Sequence, residues 1–455
     1  MQVNADAVAR LAAEVEGYVA VPGEPGYEVA DQLFNASTRQ HPAVVVGARS
    51  VADVQAAVRF AAARSLPVAV QATGHGVVVP ADGAVLISTR ELRGVNVDQA
   101  TRTAWLQAGV RSGELIAAAA EVGLAPINGA SPLVGTVGYT LGGGVGPLGG
   151  PYGYAADHVR ELEMVLADGS LVTATPEQHP DLFWAARGGK DNFGVVTHLV
   201  TDLVPVARLY GGGIFFPGDS AADVLGAYRT WVETVPDEMT SSIAMLRFPP
   251  IEQIPEPLRG RFVVHLRISY TGSSEKGVDL LRPMREVAPA LIDSVREMPY
   301  AEVATIHNDP TEPAPSVESS AALRALDQDT VDVLLKQAGP TVDVPLVAVE
   351  LRHLGGALSR PAARPNPIRR DARFSLFVVS VTPPGTEQAA RECQDRLIEA
   401  LTPWRLGPYA SFLASNITDP ADAFTPADYA RLRQVKATYD PENRFRINHN
   451  IPPAG

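Results

Sequence analysis

Apolar and polar residues follow first a strand period and then a helix period near the start of the chain. Residues 44–46 form a short β-branched run, and an apolar stripe with helical spacing comes next. The stripe predicts a helix over 51–64, and Ser50 with Asp53 has the pattern of a capping box at its first turn. The region up to about residue 205 therefore begins as an alternation of strands and helices.

The same region continues with further strand and helix signals. Strands are predicted at 67–71, 84–88, 103–110, 159–167, 170–174 and 193–204, and an alanine-rich helix at 112–122. Asp168 and Gly169 lie between two of these strands and form a strong β-hairpin signal.

From about residue 206 the strands become longer and the helices separate from them. Strands are predicted at 261–270, 346–354 and 374–381, helices at 275–287 and 387–401, and loops at 304–322 and 361–368. This pattern indicates an α+β unit built on an antiparallel sheet. One further helix, over 426–439, and an extended tail, over 443–453, complete the chain.

Composition and charge exclude several classes of protein. The 455 residues are 46% hydrophobic and 20% charged, which is typical of a globular protein and long enough for two domains. The formal net charge is −13, and the densest basic run, over 360–370, is short. Because nucleic-acid binding depends on basic surfaces that face phosphates, we expect no nucleic-acid partner.

Cysteine usage and the longest apolar runs indicate the compartment. Cys393 is the single cysteine, so neither an internal disulfide nor a thiolate metal cluster is possible. His158, His179 and His198 lack the spacing of metal ligands, and we expect no metal. The first residues have no signal-peptide pattern and the apolar runs are too short to span a bilayer, so we expect a cytoplasmic protein without membrane contact.

The strongest local anomaly is glycine, which occupies eight of the sixteen positions from 135 to 150. Such a density indicates either backbone N–H groups that cradle an anion such as pyrophosphate, or a flexible or tightly packed loop. Residues 144–149 formally match the G-x-G-x-x-G pattern. Pro147 interrupts it and no strand precedes it, so a nicotinamide-binding Rossmann site is rejected.

Two other segments are candidates for chemistry. His75 lies between Gly74 and Gly76 directly after a predicted strand, where glycine lets the backbone and the ring approach a ligand. The alternative for His75 is an ordinary surface or core histidine. The tail alternates Asn448 and Asn450 with apolar residues, which is also compatible with an edge strand docked on the core.

Four ordered segments together resemble the FAD-linked oxidases that have a vanillyl-alcohol-oxidase-type (PCMH-type) flavin domain. These segments are Thr73 to Gly76, residues 130–146, residues 183–196 and the tail over 439–453. More narrowly they are similar to the berberine-bridge-enzyme-like group, and the tail is close to that of bacterial hydroxynicotine oxidases. Thr73 and the Lys190–Asp191 pair stand where the family more commonly has glycine.

The resemblance implies an α+β, two-domain PCMH-type FAD-binding fold, with a substrate domain built on an antiparallel sheet covered by helices. We expect an FAD-binding domain over 1–205 with its core at 37–205, a substrate domain over 206–404, and a C-terminal segment over 405–455 that returns to the FAD domain. The oligomeric state stays open.

The resemblance also implies the cofactor and the residues that hold it. We expect FAD with a single covalent link at His75, because Ala130 occupies the position where other members have a second, cysteinyl link. The implied cofactor-binding residues are Ala72, Thr73, Gly74, His75, Gly76, Ala130, Ser131, Gly135, Thr136, Gly138, Gly142, Gly143, Gly144, Gly146, Asn192, Gly194, Val196, Asn448 and Asn450.

Candidates for catalysis are Tyr409, Glu350 and Arg352. Tyr409 matches a family segment whose tyrosine can act as a base beside the flavin, although a tyrosine with its ordinary pKa of about 10 needs a cationic or flavin-derived neighbour to do so. Strand alternation puts Glu350 and Arg352 on one face of a sheet that the family places over the flavin. A same-face ion pair is the alternative for these two residues.

The expected reaction is hydride transfer from a C–H bond next to an alcohol or amine of a small molecule to flavin N5. Molecular oxygen is the expected acceptor and hydrogen peroxide the product. A dehydrogenase with another acceptor and a flavin-carrying protein without turnover are the alternatives. The substrate itself is left open, since pocket-lining side chains come from many parts of the second domain.

Overall fold

The computed structural model describes residues 3–414, 417, 419–447 and 449–455. Its helices are α1 (Ala5–Glu14), α2 (Val51–Ala62), α3 (Ser112–Ala120), α4 (Thr136–Leu141), α5 (Gly149–Tyr152), α6 (Pro180–Ala186), α7 (Ala221–Trp231), α8 (Ser274–Arg285), α9 (Gln328–Ala338), α10 (Glu387–Ala400) and α11 (Pro426–Tyr439). Its strands are β1 (Tyr18–Ala20), β2 (Val44–Gly47), β3 (Val68–Gln71), β4 (Val85–Ser88), β5 (Val95–Asp98), β6 (Thr103–Gln107), β7 (Val159–Val165), β8 (Leu171–Ala174), β9 (Val195–Asp202), β10 (Arg208–Pro217), β11 (Met239–Arg247), β12 (Phe262–Tyr270), β13 (Ile292–Asp293), β14 (Arg296–Pro299), β15 (Ser316–Leu323), β16 (Ala348–His353), β17 (Phe374–Val381) and β18 (Arg405–Gly407).

The strands form separate sheets in the two halves of the chain. In the first half, one sheet has the order β1-β2-β4-β3 with β2, β4 and β3 parallel, and another has the antiparallel order β5-β6-β9-β7-β8. The largest sheet has the antiparallel order β13-β10-β12-β11-β16-β17-β15-β18, and β14 also pairs with β10. In the described part of the chain, no helix is both long and apolar enough to cross a membrane.

Local signals in the first half confirm the sequence-based elements. The side chain of Ser50 accepts a hydrogen bond from the backbone of Asp53, and the Asp53 carboxylate reciprocates, so α2 begins with the predicted capping box. Gly169 turns the hairpin between β7 and β8 with a φ of 81°, which favours glycine. Each predicted element of this half begins within a few residues of its observed start, because short-range chemistry decides where it begins.

The largest sheet buries its two faces in different ways. Along β16, Leu351 points towards the apolar core that α7, α8, α9 and α10 form with the sheet. Glu350 and Arg352 flank it in sequence and point to the opposite, polar face, because side chains alternate along a strand. The prediction of an antiparallel sheet covered by helices is thereby confirmed, and its uncovered face meets the first half of the chain.

One predicted loop is wrong, and several elements escaped prediction. The segment predicted as a loop over 304–322 contains most of β15, which pairs with both β17 and β18. Its serines and alanines have weak strand propensity, so pairing on both edges holds the strand. Gln394 of α10 reinforces it by donating a hydrogen bond of 2.9 Å to the Val317 carbonyl. The glycine-rich β10 was missed for the same reason, and β18 belongs to this sheet although it begins at the predicted C-terminal segment.

A buried ion pair anchors the end of the chain. Lys436, in α11, forms an ion pair of 2.7 Å with Asp440, and both side chains are fully buried. The Lys436 ammonium also donates hydrogen bonds to the Asn192 carbonyl at 2.6 Å and to the Phe445 carbonyl at 2.8 Å. Asp440 in turn accepts the backbone N–H groups of Arg444 and Phe445. These bonds hold the tail against the segment that follows α6.

Replacing Lys436 by methionine should destabilise the protein strongly. The variant leaves the Asp440 carboxylate buried without its cation, a change that costs about 3–5 kcal/mol in comparable buried pairs. The measurement is the free energy of unfolding from urea denaturation, followed by circular dichroism. Limited proteolysis should in addition show faster cleavage of the tail.

An exposed pair provides the control. Arg282 pairs with Asp279 on the surface of α8, where both side chains are more than half exposed. Arg282→Ala should change the free energy of unfolding by less than about 1 kcal/mol. Equal decreases in the free energy of unfolding of the two variants would contradict the anchoring role of Lys436.

Candidate functional site

A cavity of about 370 Å³ lies where strand ends of the first half meet the polar face of the largest sheet. The predicted cofactor-binding residues that line it are Ala72, Thr73, Gly74, His75, Gly76, Ala130, Ser131, Gly135, Gly138, Gly142, Gly194 and Val196. Among the described residues, Thr136, Gly143, Gly144, Gly146, Asn192 and Asn450 do not line it. Asn448 lies outside the described residues. The fold thus brings segments far apart in sequence to one cavity.

His75 is held in the cavity wall directly after β3. Gly74 turns the chain with a φ of 74°, and a Cβ atom there would approach the Gln32 carbonyl oxygen to 2.7 Å. The His75 ring stacks on Phe34 with a centroid distance of 4.4 Å. Its Nε2 atom is buried and has no hydrogen-bond partner within the described chain. A buried ring nitrogen without a partner is unusual and indicates a place for another group.

The protonation state of His75 suits a nucleophile. Burial, together with the charges of Arg111 and Arg90, lowers the pKa of His75 to about 4. The imidazole is therefore neutral near pH 7, and a neutral imidazole keeps one nitrogen lone pair. Arg90 is fixed beside it by donating a hydrogen bond of 2.8 Å to the Ala72 carbonyl.

Thr73 links His75 to the glycine-rich segment. Its hydroxyl accepts a hydrogen bond of 3.2 Å from the Gly135 N–H and lies 2.9 Å from His75 Nδ1. A glycine at position 73 has no side chain for either contact. The threonine therefore orients the ring by bonding Nδ1, which leaves Nε2 as the nitrogen without a partner.

The glycines of the segment over 135–150 serve two different purposes. Gly135, Gly138 and Gly142 line the cavity along α4. Gly146 instead allows tight packing, since a Cβ atom there would lie 1.8 Å from the Asn128 carbonyl oxygen. Gly144 has a φ of 76° and faces the Tyr139 ring. Some glycines of this segment line the cavity and others allow close packing, so both alternatives named from the sequence occur within it.

Lys190 and Asp191 introduce charge into the cavity wall. Lys190 has a left-handed φ of 57°, and its side chain extends beneath Gly142. Within the described residues its ammonium forms no hydrogen bond or ion pair, and its charge contributes to lowering the pKa of His449 in the tail. Burial lowers the pKa of Lys190 and raises that of Asp191. The Lys190 side chain lies between the glycine-rich segment and the tail.

Glu350 is enclosed by donors on the polar face of the largest sheet. Its Oε1 atom accepts hydrogen bonds from Arg267 at 2.6 Å and from Ser242 at 2.9 Å, and its Oε2 atom accepts one from Arg352 at 2.9 Å. Burial alone would raise the pKa of Glu350, but Arg352 and Arg267 outweigh it and hold that pKa well below its usual value. Glu350 and Arg352 thus form the ion pair that the sequence left as an alternative, and Arg352 lines the cavity while Glu350 does not.

Tyr409 lies beside the cavity without lining it. Its hydroxyl donates a hydrogen bond of 2.7 Å to the Tyr154 hydroxyl, in a buried cluster with Val145 and Ile368. Burial and the neighbouring Tyr154 raise the pKa of Tyr409 well above 10. A role for Tyr409 as a base stays a prediction, and neither its position nor its pKa favours it.

Asp309 is a cavity residue that the sequence did not reveal. It follows the turn over 300–306 and lines the cavity together with Arg352, in a segment predicted to be a loop. Nothing in the pattern around it is distinctive, because one aspartate among loop residues is ordinary. Tyr139 and Phe412 also line the cavity, and the Arg352 guanidinium lies 4.9 Å from the Phe412 ring centroid.

Two family models match separate parts of the chain, one in its first half and one at its C-terminal end. Residues 42–175 match the family model of an FAD binding domain, and residues 418–452 match that of berberine and berberine-like proteins. (R)-6-hydroxynicotine oxidase of Paenarthrobacter nicotinovorans is 28% identical over 97% of this chain and 98% of its own length.

Solved structures agree over nearly the whole length. 6-Hydroxy-D-nicotine oxidase of Arthrobacter nicotinovorans superposes with a TM-score of 0.84 at 25% identity, covering 97% of this chain and 98% of its own. A xylooligosaccharide oxidase of Myceliophthora thermophila superposes with a TM-score of 0.84 at 22% identity, covering 99% and 100%, and shows the fold alone. These likenesses confirm the fold class predicted from the sequence.

Proposed function

We propose that the chain is an FAD-linked oxidoreductase of the berberine-bridge-enzyme-like group, an oxidase that acts on a small molecule in the His75 cavity. Bound FAD would supply a hydride acceptor for a C–H bond next to an alcohol or amine of the substrate, and oxygen would accept the two electrons to give hydrogen peroxide. The observation that carries the proposal is the neutral, half-buried His75, whose buried Nε2 atom has no partner among the described residues, in a glycine-lined cavity.

The residues in the cavity wall fit FAD in kind and in order. Gly135, Gly138 and Gly142 leave the backbone open to a close approach, as a pyrophosphate requires. Gly194 and Val196 provide the wall for the adenine or ribitol part. His75 would hold FAD by a single covalent bond from its Nε2 atom to the 8α-methyl carbon in place of one methyl hydrogen, and oxygen, the acceptor proposed above, would take the two electrons released. A second link is not available, because Ala130 lines the cavity and Cys393 is buried in α10, in the core on the other side of the largest sheet.

The proposed function also implies a division of the chain into an FAD domain and a substrate domain. The FAD domain spans 1–205, the substrate domain spans 206–404, and the segment over 405–455 returns to the FAD domain. Asn192 supports this return, since its side chain donates a hydrogen bond of 3.0 Å to the His449 carbonyl and accepts one of 2.7 Å from the Ile451 N–H. The Val68 N–H also bonds the Arg444 carbonyl at 2.9 Å, at the start of β3.

Lys190 supplies the positive charge for the reduced cofactor. Its ammonium is close enough to the tail to affect His449, beside Asn450, and we assign this side of the cavity to the isoalloxazine edge. A nearby cation stabilises the negative charge that the isoalloxazine gains on reduction, as donors stabilise an oxyanion. A glycine at position 190 would not provide that charge.

Purified protein should be yellow, and the colour should stay in the pellet after acid precipitation, because FAD is attached through His75. His75→Ala should still take up FAD but release it into the supernatant on precipitation. The measurement is the absorption spectrum of both fractions.

His41→Ala is the matched control, since the His41 side chain is exposed and does not line the cavity. Its pellet should remain yellow. Flavin released from the wild-type protein would overturn the covalent link and leave the FAD site standing. Failure to take up FAD at all would overturn the proposed function.

Lys190→Gly should lower the midpoint potential of the bound flavin by about 30 mV or more, which is a tenfold change in the equilibrium constant of a two-electron couple. Removal of the cation makes the reduced state less favourable, and glycine accepts the left-handed backbone. The measurement is a reductive titration with a reference dye. Lys190→Arg should keep the wild-type potential, and an unchanged potential in the glycine variant would refute this role.

A compound panel tests turnover itself. Benzyl alcohol, glucose, xylobiose and (R)-6-hydroxynicotine are mixed anaerobically with the protein, and bleaching of the flavin band is followed. At least one compound should reduce the flavin, and readmitted oxygen should restore the band with one hydrogen peroxide per flavin. A flavin that stays oxidised with every compound would favour a flavin-carrying protein, and slow reoxidation by oxygen would favour a dehydrogenase.

A further inference from the structure

Oxidation of an alcohol or amine needs a proton acceptor, and the groups named from the sequence are poorly placed for it. Glu350 is held by Arg267, Ser242 and Arg352, so three of its about four lone-pair sites are already bonded. A carboxylate with a pKa well below its usual value is a weak base. Tyr409 is bonded to Tyr154 and does not line the cavity. Neither group faces the space that a substrate would occupy.

Asp309 has the position that both of them lack. It lines the cavity together with Arg352 and His75, and the charge of Arg352 acts on its carboxylate. Its carboxylate forms no hydrogen bond or ion pair with any residue that the structure describes, although the neighbouring sheet carries two guanidinium groups. All of its lone pairs are therefore available to a bound molecule.

The charges around Asp309 come from three elements. Arg267 on β12 and Arg352 on β16 favour the ionised carboxylate, whereas Glu350 on β16 opposes it. His307, two residues earlier, is neutral near pH 7 because burial and then the two arginines lower its pKa well below the ordinary value. Glu350 pairs with both arginines and offsets one of their two positive charges. Burial is the largest influence and raises the pKa of Asp309 above its ordinary value.

We propose that Asp309 is the catalytic base that takes the proton from the hydroxyl or amine of the substrate. This inference rests on the proposed function. The O–H or N–H bond breaks and its proton passes to the Asp309 carboxylate, while its electron pair forms the new C=O or C=N bond. The adjacent C–H bond breaks at the same time, and its hydrogen and two electrons leave as hydride to the oxidised FAD. Asp309 then returns the proton to solvent.

Arg352 completes this arrangement as a binding group. Its Nε atom is committed to Glu350, but its guanidinium also lines the cavity between Asp309 and the Phe412 ring. A guanidinium there can donate to the oxygen or nitrogen from which Asp309 removes the proton. Glu350 then acts as a positioning residue, because it fixes Arg352 and balances its charge.

The test compares Asp309→Asn with the wild-type holoenzyme, using whichever compound of the panel reduces the flavin fastest. The rate constant of anaerobic flavin reduction should fall by about 10²–10⁴-fold, the usual contribution of a positioned base. In the wild type this rate should rise with pH as Asp309 loses its proton, with an apparent pKa above the ordinary value of an aspartate. The asparagine variant should lack that rise, and Asp309→Glu should retain it.

Glu318→Gln is the matched control. Glu318, on β15, is another carboxyl whose pKa burial raises, but it does not line the cavity and its nearest partner is Ser316. This variant should keep the wild-type rate and pH profile. FAD content and reduction by dithionite, measured for every variant, report folding and cofactor binding separately from proton transfer.

Each outcome decides between the proposals. A rate within threefold of wild type, or a retained pH rise, in Asp309→Asn would overturn the role of Asp309 and leave the oxidase standing. If no compound reduces the wild-type flavin, the oxidase proposal fails and Asp309 has no substrate proton to take. Loss of FAD in Asp309→Asn would show a structural role instead of a base.

Discussion

One buried ammonium group joins the parts of the chain that enclose the cavity. Lys436 bonds to the Asp440 carboxylate and to the backbone carbonyls of Asn192 and Phe445, so its three donors join the start of the tail to the segment that follows α6. Burial lowers the pKa of Lys436, and the adjacent Asp440 opposes this change. Because the Asn192 segment and the tail both form part of the cavity's surroundings, the shape of the cavity depends on this one set of bonds.

The largest sheet imposes the second constraint. Its alternation sends apolar side chains to the helices and polar ones to the other face, where they are buried against the first half of the chain. Buried charges must be paired, and Glu350 between Arg267 and Arg352 meets that requirement. The pairing also divides the roles, since it leaves Asp309 without a partner and one guanidinium facing the cavity.

Charge is distributed unequally around the cavity. Lys190 lies towards the tail, and Asp309 and Arg352 lie towards the largest sheet, with the glycine-lined wall and neutral His75 elsewhere in the surface. A hydride transfer moves negative charge from substrate to cofactor and releases a proton. In the proposed reaction, Lys190 would face the negative charge that the cofactor gains, and Asp309 would take the proton.

The sequence by itself determined the features that depend on neighbouring residues: the capped helix α2, the Gly169 hairpin, the His75 turn and the glycine-rich segment. Together with the ordered family motifs, these were sufficient for the fold class and the cofactor. Only the tertiary structure decided that β15 is a strand, since its serines and alanines need pairing on both edges. Only the tertiary structure also showed that Glu350 is paired with arginines whereas Asp309 lines the cavity. Whether a carboxyl is neutralised by arginines or faces an open cavity depends on contacts between segments far apart in the chain, and local residue patterns carry no record of those contacts.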